Sequence, residues 1–190
     1  KIAFLGAGSL GFGPRLVSDI LSFPELVDST IHLVDPASER LEFIASYLRR
    51  MVKEANLPTQ IAASTERESA LDGANYVIAS IRVGQFFEPE TLDIMIPHKV
   101  GGLRQTVSDT VGVGGIMKGL RTIPPMLDFA RDMERLCPKA MLLNYTNPMA
   151  MIMWAISEAT KITSVGLCHS VQGTSHQLAN YMGVEYNRMR

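Results

Sequence analysis

Gly6-Ala7-Gly8-Ser9-Leu10-Gly11 is the stretch that decides how this chain folds. It follows the apolar run Ile2 to Leu5, read as a first strand. It precedes Phe12 to Phe23, where Leu16, Val17, Ile20 and Leu21 recur at helical spacing. Pro14 suits the first helical turn, where a missing N–H costs little. In a strand–turn–helix of this kind the first glycine makes the tight turn, the second lets the backbone approach a pyrophosphate, and the third allows close helix–strand packing. The helix N-terminus then offers unpaired N–H groups and the positive end of its dipole to the phosphates. Asp35 ends the next strand, Ile31 to Val34, where a carboxylate accepts hydrogen bonds from ribose hydroxyls and repels a 2′-phosphate. The pattern predicts an NAD site, rather than one for NADP, with Gly6, Gly8, Ser9, Leu10, Gly11 and Asp35 as cofactor contacts.

Working outward, Ser38 to Ala55 is a long amphipathic helix, Gln60 to Ala63 a short strand, and Tyr76 to Ile81 a buried strand introduced by Asp72-Gly73. Leu120 to Leu136 reads as helix, Met141 to Asn144 as strand, Met149 to Ala159 as helix and Ile162 to Leu167 as strand. A last helix, Gly173 to Met182, ends at Gly183 in the C-cap position. Strictly alternating strands and helices predict an α/β fold, a Rossmann-like doubly wound parallel sheet with helices on both faces. The glycine-rich connection from Val83 to Gly119, with Gly101-Gly102 and Gly112-Val113-Gly114-Gly115, reads as a long structureless loop. Loops of that length are usually functional.

Composition narrows the partners. A chain of 190 residues holds one domain with a real core, or one domain and part of another, and 46% hydrophobic residues exclude disorder. A net charge of -1 gives no reason to expect nucleic acid or an acidic membrane surface. No apolar run reaches bilayer length, and no signal-peptide pattern opens the sequence. Two cysteines, Cys137 and Cys168, do not make a disulfide framework, so a cytoplasmic location is expected.

Two further stretches leave strands at their carboxyl ends, where open parallel sheets bind ligands. Asn144 and Asn147 follow the strand from Met141. An Asn there can both donate to and accept from hydroxyls, but Thr146-Asn147-Pro148 is equally good turn chemistry before a helix. Cys168-His169-Ser170-Val171 follows the strand ending at Leu167. Adjacent side chains on extended backbone point to opposite faces, so Cys168 and His169 are not expected to share one metal. From position alone, a buried structural thiol and a satisfied core or capping histidine are the favoured readings of the two. Cys137, His98 and His176 read as incidental.

Taken together these residues resemble the family-four glycoside hydrolases. The resemblance runs over essentially the whole chain. It is carried by Gly6 to Gly11, Ser108-Asp109-Thr110-Val111-Gly112, Gly114-Gly115-Ile116, Leu120-Arg121-Thr122-Ile123-Pro124, Asn144-Tyr145-Thr146-Asn147-Pro148-Met149, and Gly166-Leu167-Cys168-His169-Ser170-Val171-Gln172-Gly173. It is closest to the α-galactosidase, melibiase-like branch, in which the tetrad starting at the cysteine reads Cys-His-Ser-Val. What the resemblance implies is a glycosidase acting on a small-molecule α-galactoside with NAD and Mn²⁺, outside the two-carboxylate rule. Hydride leaves C3 of the sugar, the C2 proton becomes acidic, the glycosidic bond breaks by elimination, water adds, and the hydride returns. The cation holds the sugar hydroxyls O2 and O3 and polarises the C3 carbonyl. Carried over by position, Cys168 is a metal ligand, Asn147 a substrate-hydroxyl contact and His169 the catalytic acid that assists the leaving group, with Asp109 beside the sugar. A dimer or tetramer is also implied.

The sequence departs from the family in two elements. The second metal ligand, a histidine in an Asn-His motif, and the base that removes the C2 proton both fall beyond Arg190. The expectation is therefore an N-terminal fragment: residues 1–167 an NAD-binding domain, and residues 168–190 the start of a C-terminal catalytic and metal-binding region. As an isolated polypeptide it is expected to bind NAD without turnover. Competing readings are an α-glucosidase or α-galacturonidase of the same family, an NAD-dependent hydroxy-acid dehydrogenase, and a non-catalytic NAD-binding module.

Overall fold

The computed structural model of the chain describes residues 1–84, 88–104, 110–168 and 170–189. Among these, one sheet holds β1 (Ile2–Leu5), β2 (Thr30–Val34), β3 (Gln60–Ser64), β4 (Tyr76–Ala79), β5 (Met141–Asn144) and β6 (Ser164–Gly166). The helices are α1 (Phe12–Leu21), α2 (Ser38–Glu54), the single turn α3 (Glu68–Leu71), α4 (Glu88–Gly101), α5 (Gly112–Leu136), α6 (Met149–Ala159) and α7 (Ser170–Met182). All strand pairs are parallel, in the order β3-β2-β1-β4-β5-β6. This is the doubly wound Rossmann order that the alternation predicts.

β1 lies in the middle, with Ile2 opposite Ile31 on one side and Tyr76 on the other. All four of its residues are buried, as a strand covered on both faces requires. The pleat sends them to two separate layers. Ile2 and Phe4 join Val17, Leu21, Leu41, Ile44 and Leu48 beneath α1 and α2. Ala3 and Leu5 join Leu71, Met126, Ala130, Met133, Ile152 and Ile156 beneath α3, α5 and α6. β4 divides the same way, Ile78 to the first layer and Val77 and Ala79 to the second. The chain winds outward from β1 in one direction and from β4 in the other. The crevice for a ligand therefore opens at the carboxyl ends of these two strands.

The boundaries of β5 and α6 fall where the sequence places them, and those of β1, β2 and α2 within a residue. β4 ends at Ala79 rather than Ile81 because the Ile81 N–H donates to Thr146 Oγ1 at 3.0 Å. α7 starts at Ser170 rather than Gly173.

The connection from Val83 to Gly119 is not the structureless loop expected. It contains α4, and α5 begins at Gly112 rather than Leu120. α4 escapes a periodicity reading because none of its residues is buried, so it has no apolar stripe. Ion pairs hold it instead, Glu90 to Lys118 Nζ at 2.8 Å and Asp93 to Arg121 at 2.6 Å. The glycines that opened α5 looked like loop residues, yet Gly114 and Gly115 are buried. A Cβ on Gly115 would lie 2.6 Å from the Thr110 backbone. Close packing overrides poor helix propensity here.

Phe4 has no exposed surface, whereas Tyr47 on α2 is 52% exposed. Phe4→Ala is expected to lower unfolding free energy by about 3–5 kcal/mol through the cavity it leaves. Tyr47→Ala should stay within about 0.5 kcal/mol. Urea titration of the two variants measures the difference.

Candidate functional site

Because every strand runs the same way, five exits meet along one edge: Gly6 after β1, Asp35 after β2, Ser80 after β4, Tyr145 after β5 and Leu167 after β6. The glycine turn is fixed from both sides. The Gly6 and Ala7 N–H groups both donate to Val34 O, at 2.9 and 3.0 Å. Gly6 has φ of +84°, and a Cβ on it would run into the backbone carbonyl of Ser80. Only glycine satisfies both conditions.

Asp35 is 8% exposed and bound at both oxygens: Gly8 N–H donates to Oδ2 and Ala37 N–H to Oδ1, each at 2.9 Å. A Cβ on Gly8 would sit 2.5 Å from that carboxyl group, so the second glycine makes room for the acid as well as for a ligand. An ionised carboxylate has roughly four acceptor positions. Two are used, which leaves capacity for hydroxyl donors.

The third glycine needs correcting. A Cβ on Gly11 meets nothing within 4 Å, so Gly11 does not provide the close helix–strand approach. Gly13 does, since a Cβ there would lie 3.1 Å from Ala7 O and 3.9 Å from the Phe4 ring. Gly11 is the cap before α1, and with the 64%-exposed Leu10 it forms the outer tip of the turn. Ser9 lies beside it, half-buried, its Oγ facing the Phe12 N–H at 3.4 Å.

At the β5 exit the two asparagines part company. Asn144 is fully buried and spends its side chain on the turn: its Oδ1 accepts the Thr146 N–H at 3.0 Å and its Nδ2 donates to Thr146 O at 3.1 Å. Asn147 is half-buried at the sheet edge. Sequence reasoning passed over its neighbours. Thr146 ties this turn to β4 through Ile81. Tyr145 donates its N–H to Ala79 O at 2.8 Å and meets the Phe12 ring edge-on, centroids 5.0 Å apart, linking the β5 exit to the start of α1. An aromatic residue within an Asn-x-x-Asn turn was the only available signal.

Cys168 emerges next to this turn. Leu167 N–H reaches Asn144 O at 2.8 Å, and Gly166 has no room for a side chain against Met149 and Met153 of α6. The Cys168 thiol is partly exposed and 2.9 Å from Ser170 Oγ. Hydrogen bonding from Ser170, side chain first and backbone second, pulls its pKa below that of an ordinary thiol, while burial opposes this more weakly. Cys137, buried behind α5, is pushed the other way by burial. His169 and Asp109, the predicted acid and sugar contact, lie outside the described residues. Among the described residues no three His, Cys, Asp or Glu side chains form a group able to hold a metal ion.

The model of the Family 4 glycosyl hydrolases matches residues 1–184. The chain belongs to that family. Among its Family 4 relatives, an alpha-galactosidase of Rhizobium meliloti is 47% identical over 184 residues, covering 96% of this chain and 37% of the relative. An alpha-galactosidase of Bacillus subtilis is 41% identical over 187 residues, covering 98% and 43%. The chain thus spans about two-fifths of the length of these relatives. A 6-phospho-beta glucosidase of Thermotoga maritima, solved with manganese, NAD⁺ and glucose-6-phosphate, superimposes with a TM-score of 0.81 at 26% identity, covering 97% of this chain and 43% of that one. Relatives called alpha-glucosidase, from Erwinia rhapontici, and alpha-galacturonidase, from Thermoanaerobacter italicus, are 33% and 37% identical.

The two edge glycines should behave oppositely. Gly6→Ala is expected to destabilise the chain by about 1–3 kcal/mol or more from backbone strain and the Ser80 clash. Gly11→Ala should stay within about 1 kcal/mol of the parent. Thermal unfolding of both variants decides this. The cysteines should also separate. Thiolate forms at lower pH on Cys168 and at higher pH on Cys137, so iodoacetamide near neutral pH should alkylate Cys168 first. Peptide mass spectrometry over a pH series reads the order; equal labelling rates would contradict it.

Proposed function

We propose that this chain is the cofactor-binding part of an α-galactosidase that works by transient oxidation at sugar C3, with NAD and Mn²⁺. The observation that carries the reading is the coincidence, along one sheet edge, of the Gly6–Asp35 turn with Asn147 and Cys168, in a chain of Family 4. The turn fits a dinucleotide: it is free of side chains at Gly6, Gly8 and Gly11, it opens α1, and it presents a carboxylate with acceptor capacity to spare. Residues 1–167 form the NAD-binding unit, and 168–190 begin the catalytic, metal-binding part. In support of that boundary, α7 buries only Ala179 and leaves Leu178, Tyr181 and Met182 exposed.

When bound, NAD accepts and returns the hydride and the cation polarises the carbonyl. The chain's own residues prepare that chemistry. The start of α1 would hold the pyrophosphate at its positive dipole end, and Asp35 would take the adenosine ribose hydroxyls. Asn147 holds a sugar hydroxyl. Cys168, its thiol already acidified by Ser170, supplies one soft ligand, and oxygen donors from the sugar make the site as a whole suit a hard cation such as Mn²⁺. His169 stands next in sequence as the acid that protonates the leaving oxygen, and Asp109 belongs to the segment beside the sugar. A cytoplasmic homo-oligomer, dimer or tetramer, is the form we assign to the whole enzyme. No helix among the described residues is long and apolar enough to cross a membrane.

The test uses the full-length protein with aryl α-galactoside, α-glucoside and α-galacturonide, each with NAD⁺, Mn²⁺ and a reductant. The galactoside is expected to turn over fastest. Withdrawal of NAD⁺ or of the metal should lower the rate by at least ~100-fold, as should Cys168→Ser. Deuterium at C2 should slow turnover. Full activity without both NAD⁺ and metal would refute the mechanism. Net NADH release from a hydroxy acid would favour a dehydrogenase.

A further inference from the structure

Two aromatic side chains meet across the carboxyl edge, and the proposed chemistry uses neither. Phe12 is the first residue of α1, directly after the glycine turn, and its N–H faces Ser9 Oγ at 3.4 Å. Tyr145 is the first residue after β5 and stands two before Asn147. Their rings meet edge-on, with centroids 5.0 Å apart and planes at 66°. An edge-to-face pair has a preferred mutual orientation, which two aliphatic chains lack. Both rings are half-buried and pack on the layer beneath α1 and α2, as do Leu16 and Leu143. Phe12 and Leu16 lie one turn apart on α1, and Leu143 and Tyr145 alternate along one face at the end of β5. The Tyr145 phenol stays close to α1: burial, and after it the charge of Asp19 further along that helix, push its pKa up.

The backbone at each end of this contact is held in its own right. Before Phe12, Gly6 and Ala7 are bound to Val34 O, and Gly13 N–H reaches Ser9 O at 3.3 Å. At the other end, Tyr145 N–H reaches Ala79 O at 2.8 Å and Thr146 Oγ1 accepts the Ile81 N–H at 3.0 Å. These bonds fix each turn to its strands. The ring pair bears on a different quantity, how the start of α1 sits against the β5 exit. That quantity matters for a transfer between two bound molecules, because reacting atoms must come within about 3–3.5 Å of each other. We infer that Tyr145 is a positioning residue, whose ring contact with Phe12 sets the dinucleotide turn against the Asn147 turn. The inference deepens the proposed site and rests on that reading for its kinetic consequence.

Variants of the full-length protein separate positioning from packing. Phe12→Leu and Tyr145→Leu each remove one ring and keep apolar bulk. Leu143→Ala is the packing control, from the same layer and strand end but outside the ring pair. All three are expected to lose some thermal stability. Only the ring variants should weaken NAD⁺ binding, each by roughly 3-fold, and the double variant should be no weaker than about 3-fold rather than about 9-fold. In the parent and in Leu143→Ala, NAD⁺ should slow amide hydrogen exchange in the segment from Tyr145 to Met149; in the ring variants most of that response should vanish. With aryl α-galactoside, Tyr145→Leu should lower kcat by about tenfold and change KM less than about twofold. Tyr145→Phe, which keeps the ring, should recover most of the loss. If Tyr145→Leu behaves as Leu143→Ala does, less stable but with NAD⁺ affinity and exchange response intact, Tyr145 only packs and the inference falls. Effects of the two ring variants that multiply would overturn it as well. Non-multiplying effects on NAD⁺ binding and exchange, in a protein inactive on every glycoside, would keep the positioning of the turns and remove the glycosidase reading.

Discussion

The carboxyl edge of this protein depends on how the backbone leaves β1. Two N–H groups, of Gly6 and Ala7, converge on the single carbonyl of Val34, and the turn passes the Ser80 carbonyl too closely for any side chain. β1 is thereby joined to β2 and β4 at the same height. The next residues can then reach Asp35, which closes the turn by taking N–H groups from Gly8 and Ala37. The bonds to Val34 O are ordinary ones of about 1 kcal/mol net, and those to the Asp35 carboxylate are worth about 1.5–3 kcal/mol. Their importance is geometric: they make one rigid corner from which α1 and α2 both depart, and the corner faces the crevice that the strand order creates.

The neighbouring exits are built on the same plan. Thr146 receives Ile81, Tyr145 reaches Ala79, and Leu167 reaches Asn144, so each strand is tied to the next just beyond the sheet. The relative positions of these strand ends are therefore fixed by bonds within the chain before any ligand arrives.

Legibility in the sequence followed burial. β1, β2, β5 and α6 were readable because their apolar runs end in turn residues and both sheet faces are covered. α4 was invisible because charges hold it and no stripe repeats along it. The start of α5 was hidden because glycine has two meanings, a flexible link or a place with no space. Gly115 and Gly119 are the second kind, set against Thr110 and against Met151 and Pro148. The same ambiguity misassigned Gly11. A G-x-G-x-x-G pattern names three glycines, but the helix turns its tight face to β1 at Gly13, and only coordinates separate the two. At the candidate site the residue types were legible and their division of labour was not: Asn144 and Asn147 look alike in sequence, yet one is consumed by its own turn.

Cys168 is the counterpoint to the finished glycine corner. Its thiol is acidified by Ser170 and partly exposed, and it has no companions among the described residues that would complete a metal shell. A lowered pKa puts more of a thiol in the nucleophilic thiolate form at a given pH. Cys137 shows the contrast within one chain, buried and pushed toward the neutral form. The asymmetry between the two halves of the edge follows from chemistry. A dinucleotide can be held by one strand–turn–helix and a carboxylate, all local in sequence. A cation needs several donors converging on a point, and those must come from segments far apart in a chain. A segment two-fifths the length of its relatives holds the local strand–turn–helix and its carboxylate, whereas its described residues hold no group of three metal-ligating side chains.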